Sequence, residues 1–274
     1  MAPRSNKGYE IRSINLPRVR EQPEMLKLAK KLVIGTPLEA PARRLAALVN
    51  PPAPDVDAMT FEVMRRTLMP DSNAIDIGCH EGLFLRRMLE WAPLGYHLAF
   101  EPLPFLFQRL EEEFGADHRV QLFHCALSDL TGRVQFHYNV DHPAYSGLRR
   151  RLYPSEHDRV ELIDVEVRRL DDIASNDRRI SFVKIDVEGA ELSVLRGGRE
   201  LIRRDKPVVV FEFGSGSAEF YGSGPAEIFR FFADLTYSIQ TLPGWLSGGA
   251  PLSAAALKLE WNRSYQFVAC CNSR

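Results

Sequence analysis

The sequence has no uninterrupted apolar run approaching the ~20 residues that a membrane-spanning helix needs. Its first residues, Met-Ala-Pro-Arg-Ser-Asn-Lys, contain no apolar stretch of the kind found in a secretory signal. The apolar and charged fractions, 45% and 26%, are ordinary for a globular chain. We therefore expect a cytoplasmic protein without a transmembrane segment.

Cysteine is scarce, and the four in the chain are Cys79, Cys125, Cys270 and Cys271. Their spacing lacks the pairs of a zinc site, and their number is too small for a disulfide framework. We expect buried free thiols. A zinc-protease helix beginning at His80-Glu81 would need a histidine at position 84, where the chain has Phe84.

The chain also lacks the Gly-x-Gly-x-x-Gly pattern with which many proteins bind a dinucleotide pyrophosphate. In its place, Gly78-Cys-His-Glu-Gly82 follows a short apolar segment and precedes a helical pattern from Leu83 to Glu90. Free amides at a helix start favour phosphate or carboxylate, and parallel sheets bind ligands beyond the carboxyl ends of their strands. The turn predicts a nucleotide-like ligand and disfavours NAD.

Short apolar segments alternate with helical ones through most of residues 57–274, which predicts an α/β doubly wound, mostly parallel sheet. Two alternating segments, 132–139 and 160–168, interrupt this order as an inserted strand pair. They bracket a polar loop that we interpret as a substrate lid. Two late strands, near 237–242 and 265–271, are expected to form a terminal antiparallel hairpin.

Residues 1–56 are predicted to form an N-terminal helical cap or arm, with helices at 24–33 and 41–49, ahead of a main domain at 57–274. The first fifty residues contain ten Lys/Arg and four Glu. This basic surplus indicates either contact with anionic material or a solvated helical face. The helix at 24–33 is short and has no Trp or Phe anchor, so we expect it to pack on its own domain rather than on a membrane.

Several polar side chains follow predicted strands. Asp76 could meet an ammonium group, and Glu101, about twenty residues after the turn, could accept hydrogen bonds from both hydroxyls of a ribose. Ala126 and Leu127 could flank an adenine whose edge Ser128 bonds. Glu101 could instead stabilise a helix start, and Ser128 could belong to a turn.

The most specific stretch runs from Val183 to Gly197 and contains Lys-Ile-Asp-Val-Glu-Gly-Ala-Glu. With the Gly78–Gly82 turn, Phe100-Glu-Pro102 and Val210-Phe-Glu212, it resembles the FkbM family of S-adenosylmethionine-dependent methyltransferases, over roughly residues 70–215. The resemblance implies a Rossmann-like class I methyltransferase fold with a seven-stranded sheet and helices on both faces. Members often have Ala-Asn where this chain has Cys79-His80.

The turn and the resemblance together imply S-adenosyl-L-methionine as the cofactor, with Asp186 facing its methionine end. The expected cofactor-binding residues are Asp76, Gly78, Cys79, His80, Glu81, Gly82, Glu101, Pro102, Ala126, Leu127, Ser128 and Asp186.

Methylation of a hydroxyl requires removal of its proton, for which a histidine or a carboxylate of raised pKa is suited. We predict Asp186 and His142 as catalytic residues, although His142 could simply be an exposed loop residue. Glu188 is expected to cap the following helix and Glu191 to lie on that helix's exposed first turn. Asp186, Glu188 and Glu212 could ligate a divalent ion if they converged, but the sequence does not establish this, and we expect no metal.

The resemblance implies O-methylation of a hydroxyl on a sugar, glycolipid or natural product. One alternative is a nucleic-acid methyltransferase that uses the basic arm and Arg149-Arg-Arg151 as phosphate contacts. The chain lacks the Asn-Pro-Pro-Tyr-type block of amino-group methylation, so nucleic acid is the less favoured substrate. The other alternative is a non-catalytic protein that binds S-adenosylmethionine. The sequence does not indicate an oligomeric state.

Overall fold

The computed structural model describes residues 55–272. The predicted N-terminal cap, its helices at 24–33 and 41–49, and its basic surplus lie outside the described residues. The domain boundary near residue 56 therefore stays a prediction.

The described residues contain a large sheet of seven strands in the order β3-β2-β1-β7-β8-β10-β9 and a small sheet in the order β4-β6-β5. Neighbouring strands are parallel from β3 to β8, and β10 runs antiparallel to both β8 and β9. The predicted mostly parallel sheet with a terminal antiparallel pair is confirmed. The strands are β1 (Asn73–Ile77), β2 (His97–Phe100), β3 (Val120–Phe123), β4 (Ala126–Leu127), β5 (Gly132–Asn139), β6 (Val160–Arg168), β7 (Ile180–Ile185), β8 (Val208–Glu212), β9 (Tyr237–Thr241) and β10 (Gln266–Cys271).

Helices cover both faces of the large sheet. Successive residues of a strand point to opposite faces, and Phe182 and Val183 of β7 accordingly pack into two different apolar clusters. The described helices are α1 (Val56–Thr67), α2 (Leu83–Trp91), α3 (Pro104–Phe114), α4 (Leu170–Ile173), α5 (Glu191–Gly197), α6 (Arg199–Asp205), α7 (Pro225–Asp234), α8 (Leu242–Leu246) and α9 (Ala254–Glu260). Short 3-10 turns occur at Pro143–Tyr145 and Ala218–Tyr221.

The helical bounds differ from the prediction after β7. The sequence pattern predicts a single helix over 190–199, but α5 ends at Gly197 and α6 begins at Arg199. Both glycines at this junction are closely packed, since a Cβ on Gly197 would lie 2.0 Å from the Ser128 carbonyl oxygen and one on Gly198 would lie 2.8 Å from the Leu170 side chain. Helices α6, α8 and α9 were not predicted.

The inserted strand pair is present with the predicted bounds. Strands β5 and β6 pair antiparallel along their whole length, and β4 joins the outer side of β6 in parallel. The loop that follows β5 is partly tied to that strand, because His137 and Gly147 exchange backbone hydrogen bonds of 2.8 and 3.1 Å. The Asn139 side-chain oxygen also accepts from the backbone N–H groups of Asp141 and His142.

All four cysteines are free. Cys79 and Cys125 are buried as predicted, whereas Cys270 and Cys271 are only partly buried because they end the strand β10. Among the described residues, no helix combines the length and apolar character needed to cross a bilayer.

Candidate functional site

A cavity of about 330 Å³ lies at the carboxyl ends of β1, β2 and β7. This volume falls within the range of small-molecule pockets. Many of the residues predicted to bind a cofactor line it, namely Gly78, Cys79, His80, Glu81, Glu101, Pro102, Ala126, Leu127 and Asp186. Asp76, Gly82, Ser128 and His142 do not line it.

The turn after β1 is built on Gly78. Its φ of +75° is a left-handed conformation that favours glycine, and a Cβ there would lie 1.8 Å from the backbone oxygen of Asp186. The backbone N–H groups of Gly78 and Cys79 both donate to the Phe100 carbonyl at 3.1 Å. The glycine therefore lets the ends of β1, β2 and β7 approach one another at the cavity.

Asp76 lies behind the turn and is completely buried. Burial raises the pKa of its carboxyl to about 6, against the lowering effect of the nearby Lys184 ammonium. The Lys184 Nζ lies 3.6 Å from Asp76 and 3.4 Å from Asp186, and it donates to the Gly78 carbonyl at 3.1 Å. Burial lowers the pKa of Lys184, but the two carboxylates together raise it above its ordinary value. Lys184 thus links the turn to the end of β7. Asp76 does not line the cavity, so a ligand there would contact other residues.

Glu101 is the buried acid at the end of β2. Its Oε2 accepts from the His80 backbone N–H and its Oε1 from the Leu103 backbone N–H, both at 2.9 Å. Burial raises the pKa of this carboxyl to about 7, although the two backbone donors lower it. Each carboxylate oxygen can accept more than one hydrogen bond, so both retain capacity for a ligand.

Gly82 and His80 both belong to the turn, but only His80 lines the cavity. Gly82 is the N-terminal cap of α2 with φ +77°, and a Cβ there would lie 2.8 to 2.9 Å from the Phe114 and Leu110 side chains. His80 also has a positive φ, +50°, and its side chain is exposed. Gly82 is thus a packing residue, and His80 contributes through its backbone bond to Glu101.

An apolar wall closes the side of the cavity beyond Glu101. It combines the predicted Ala126 and Leu127 with residues that the sequence analysis missed: Leu103, Phe136, Pro143, Ala144 and Leu148. Phe136 belongs to β5 of the insert and packs with Leu103 and Ala126 in one buried cluster. The insert therefore lines the same pocket as the predicted cofactor residues.

Ser128 lies outside this wall. Its backbone N–H donates to the Arg168 carbonyl at 3.0 Å, and its hydroxyl donates to the Asp129 carboxylate at 3.2 Å. The first of these bonds extends the pairing of β4 with β6, and the second is made to the next residue of the chain.

His142 also lies apart from the cavity lining, although its neighbours Pro143 and Ala144 form part of that lining. Its side chain is 48% exposed, and its Nε2 lies 3.8 Å from the Asp158 carboxylate. His142 and Asp186, the two predicted catalytic residues, are therefore not brought together by the lining of this cavity.

Acidic side chains converge where β7 and β8 end. One carboxylate oxygen from each of Asp186, Glu188 and Glu212 lies within 4.8 Å of the others. Asp186 and Glu188 also line the cavity. Burial, followed by the negative charges of Asp186 and Glu191, raises the pKa of Glu212 well above its ordinary value. The convergence that the sequence left open is thus present, and we call these three residues the acidic cluster.

Glu191 and Glu188 differ from their predicted roles. Glu191 is completely buried rather than exposed on the first turn of α5, and its Oε1 accepts from the backbone N–H groups of Gly189 and Val187 at 3.0 and 3.3 Å. Burial raises its pKa to about 7. Glu188 does not cap α5 and instead forms an ion pair with Arg151 of the inserted loop.

The inserted loop contacts the cluster through a short set of interactions. The Arg151 guanidinium lies 5.0 Å from the centre of the Tyr145 ring, in addition to its ion pair with Glu188. The Tyr221 hydroxyl accepts from the Arg149 backbone N–H at 3.0 Å. Arg151 and Tyr221 come from distant parts of the sequence. The sequence singled out Arg151 only as a possible phosphate contact, and no local pattern indicated Tyr221.

The described fold and site define a class of protein: an α/β protein with a small-molecule pocket at the carboxyl ends of parallel strands and a buried acid at the end of the second strand. The family model described as "Methyltransferase FkbM domain" matches residues 76–239. The chain belongs to this family of methyltransferases.

Two curated proteins are similar over the same region. The 2-O-methyltransferase NoeI of Sinorhizobium fredii is 38% identical over 149 residues, covering 50% of this chain and 61% of NoeI. Methyltransferase sdnD of Sordaria araneosa is 30% identical over 152 residues, covering 45% of this chain and 59% of sdnD. The chain thus spans about three fifths of the length of these relatives.

A solved structure of methyltransferase FkbM from Methylobacillus flagellatus is also similar. It is 18% identical, with a TM-score of 0.46, and the match covers 74% of this chain and 44% of that one.

Proposed function

We propose that this protein is an S-adenosylmethionine-dependent O-methyltransferase that acts on a hydroxyl of a sugar, glycolipid or natural product. The observation that carries the proposal is the position of the acidic cluster. Asp186 and Glu188 line the same cavity as Gly78 and Glu101. A pocket suited to the methyl donor therefore adjoins carboxylates suited to receive the acceptor's proton.

The residues of the pocket fit the donor. Glu101 offers two buried carboxylate oxygens with remaining acceptor capacity, which suits the two hydroxyls of a ribose. The apolar wall that includes Leu127, Phe136 and Leu148 suits the faces of an adenine ring. Gly78 has no side chain, and the Asp186 backbone packs directly against it, so a ligand can approach the backbone of the turn.

When bound, S-adenosylmethionine supplies a methyl group on a positively charged sulfur. The chain's own residues position the two reactants in one cavity, which is a large part of what such a transfer requires. They also place the carboxylates of Asp186 and Glu188 at the edge of the cavity, where their oxygens can face the cationic donor.

Asp186 is the candidate group that receives the hydroxyl proton. Its side chain is 27% exposed and lines the cavity, so an acceptor can reach it. His142 was predicted for the same role, but it lies outside the lining and close to Asp158. We therefore assign proton acceptance to Asp186 and not to His142.

Similarity to a relative named 2-O-methyltransferase supports a hydroxyl as the acceptor group. The test is methyl transfer from isotope-labelled S-adenosylmethionine to a panel of oligosaccharides, glycolipids and hydroxylated natural products. We expect a methyl ether in the product, located by NMR, and a loss of at least ten-fold in turnover in Asp186→Asn. A methyl group found on nitrogen or carbon would contradict the proposal.

A further inference from the structure

We propose that the acidic cluster binds one divalent metal ion of the hard type, such as Mg²⁺ or Mn²⁺, through Asp186, Glu188 and Glu212. Hard cations prefer carboxylate oxygens, and ligands on opposite sides of one ion at ~2.1–2.5 Å lie ~4–5 Å apart. The three carboxylate oxygens of the cluster lie within 4.8 Å of one another. This upper limit permits all three oxygens to contact one shared ion.

A second and separate observation concerns Glu191, which is not one of the three residues. It is completely buried, and within residues 55–272 its Oε2 has no hydrogen-bond partner. Its Oε1 is fixed by two backbone donors, and its charge acts on both Asp186 and Glu212. A buried oxygen without a partner is costly. Because Glu191 acts electrostatically on both Asp186 and Glu212, a cation bound by the cluster would also offset the charge of this buried carboxylate.

The charge balance leads to the same conclusion. Arg151 pairs with Glu188, and Lys184 is shared between Asp186 and Asp76. Within the described part of the chain, no Lys or Arg forms an ion pair with Glu212 or Glu191. Buried carboxylates are stable when they are paired, protonated or bound to a metal. Protonation is one way to stabilise Glu212 and Glu191, and a divalent ion would supply the positive charge that their ionised forms lack.

The location gives such an ion a role that rests on the proposed function. The cluster lies at the ends of adjacent strands β7 and β8, and two of its members line the cavity. An ion held at this edge would orient an acceptor hydroxyl and lower its pKa, and the proton would pass to the carboxylate oxygen of Asp186 that does not hold the ion. The binding site itself rests on the carboxylates alone and does not require methyl transfer.

Substitution of Arg151 distinguishes a metal site from a network of ion pairs between side chains. The guanidinium forms an ion pair with the Glu188 carboxylate and would compete with a metal ion for it. We therefore expect Arg151→Gln to bind Mn²⁺ at least as tightly as the wild-type protein. If Arg151 were the intended cation of the cluster, the Gln variant would lose structure and gain no affinity for Mn²⁺.

The experiment is titration of the full chain with Mn²⁺, in which electron paramagnetic resonance reports the unbound ion and Mg²⁺ is the competitor. We expect one Mn²⁺ per chain and at least ten-fold weaker binding in Glu212→Gln and in Glu188→Gln. Glu161→Gln, an exposed acid on β6, is the matched control and should bind normally. Glu188→Gln also serves if Glu212→Gln fails to fold, because Glu188 is less buried.

Calorimetry with S-adenosylhomocysteine on the same samples separates the two proposals. Wild-type protein that binds S-adenosylhomocysteine but no Mn²⁺ at millimolar concentration overturns the metal site and leaves the proposed function standing. Equal Mn²⁺ binding in the wild-type protein and in both Gln variants would also overturn the metal site. Mn²⁺ binding without any binding of S-adenosylhomocysteine would instead overturn the proposed function.

Discussion

Replacing Glu101 with Gln tests the donor pocket at its most specific polar group. The change keeps the size of the side chain but replaces one of two acceptor oxygens with an amide donor. A hydrogen bond to a charged group contributes about 1.5–3 kcal/mol, and about 1.4 kcal/mol corresponds to a ten-fold change in affinity. We therefore expect Glu101→Gln to weaken binding of S-adenosylhomocysteine by about 10- to 100-fold in calorimetry.

The pH dependence of the same titration adds a second readout. Burial raises the pKa of Glu101 to about 7, Asp76 contributes to the rise, and backbone donors and Lys184 oppose it. The free protein thus gains an ionised carboxylate as the pH rises from 6 to 8, and wild-type affinity should rise with it. In Glu101→Gln this rise should be much smaller.

Ionisation of Glu101 has the opposite effect on folding stability, which falls as the pH rises. Because the folded-state pKa of Glu101 lies above its ordinary value of 4.5, the folded protein holds a proton that the unfolded chain releases. The resulting stability is present below about pH 4.5 and is lost as the pH rises through about 7. The group's contribution to the free energy of unfolding should fall by about 3 kcal/mol across this window.

Glu111→Gln, on the exposed surface of α3, is the control for a charge change without a ligand contact. Circular dichroism and urea unfolding should confirm that both variants are folded, since Glu101 also accepts two backbone hydrogen bonds. A folded Glu101→Gln variant with wild-type affinity and wild-type pH dependence would refute the assignment of this residue to the ligand.

Three further substitutions address the wall, the turn and the buried ion pair. Leu148→Ala should weaken S-adenosylhomocysteine binding about 3- to 10-fold, since it removes apolar area worth about 1 kcal/mol from the wall. Leu162→Ala, at a leucine of β6 that is 58% exposed, should leave calorimetric binding unchanged. Gly78→Ala should abolish binding and lower the melting temperature, because a Cβ would lie 1.8 Å from a backbone oxygen; normal binding would contradict the described turn. Lys184→Met leaves Asp76 buried without its partner and should reduce the free energy of urea unfolding by about 3–5 kcal/mol, whereas a loss below 1 kcal/mol would argue against the pair.

The sheet could be predicted well from the sequence, because apolar strands buried on both faces differ clearly from the helices between them. The inserted strand pair also has its predicted bounds. The break between α5 and α6 could not be predicted, since it depends on packing of Gly197 and Gly198 against Ser128 and Leu170, which are distant in the chain.

Only those parts of the site that depend on local sequence patterns could be predicted. Glu101 and Gly78 follow directly from local strand-turn patterns, and both line the cavity. The burial of Glu191 was missed because an acid on a first helical turn is usually exposed, and nothing local reveals that its carboxylate instead receives backbone N–H groups. Phe136 was missed, and Arg151 was considered only as a phosphate contact and not as the partner of Glu188, because the insert reaches the site only through tertiary contacts.

The central claim is that the cavity beyond β1 and β2 binds the adenosine and methionine portions of a methyl donor. Calorimetric titration of the full chain with S-adenosylhomocysteine, and separately with NAD, tests it most directly. We predict one S-adenosylhomocysteine per chain, no binding of NAD, and loss of the heat signal in Gly78→Ala. Binding of NAD, or no binding of S-adenosylhomocysteine at millimolar concentration, would contradict the account.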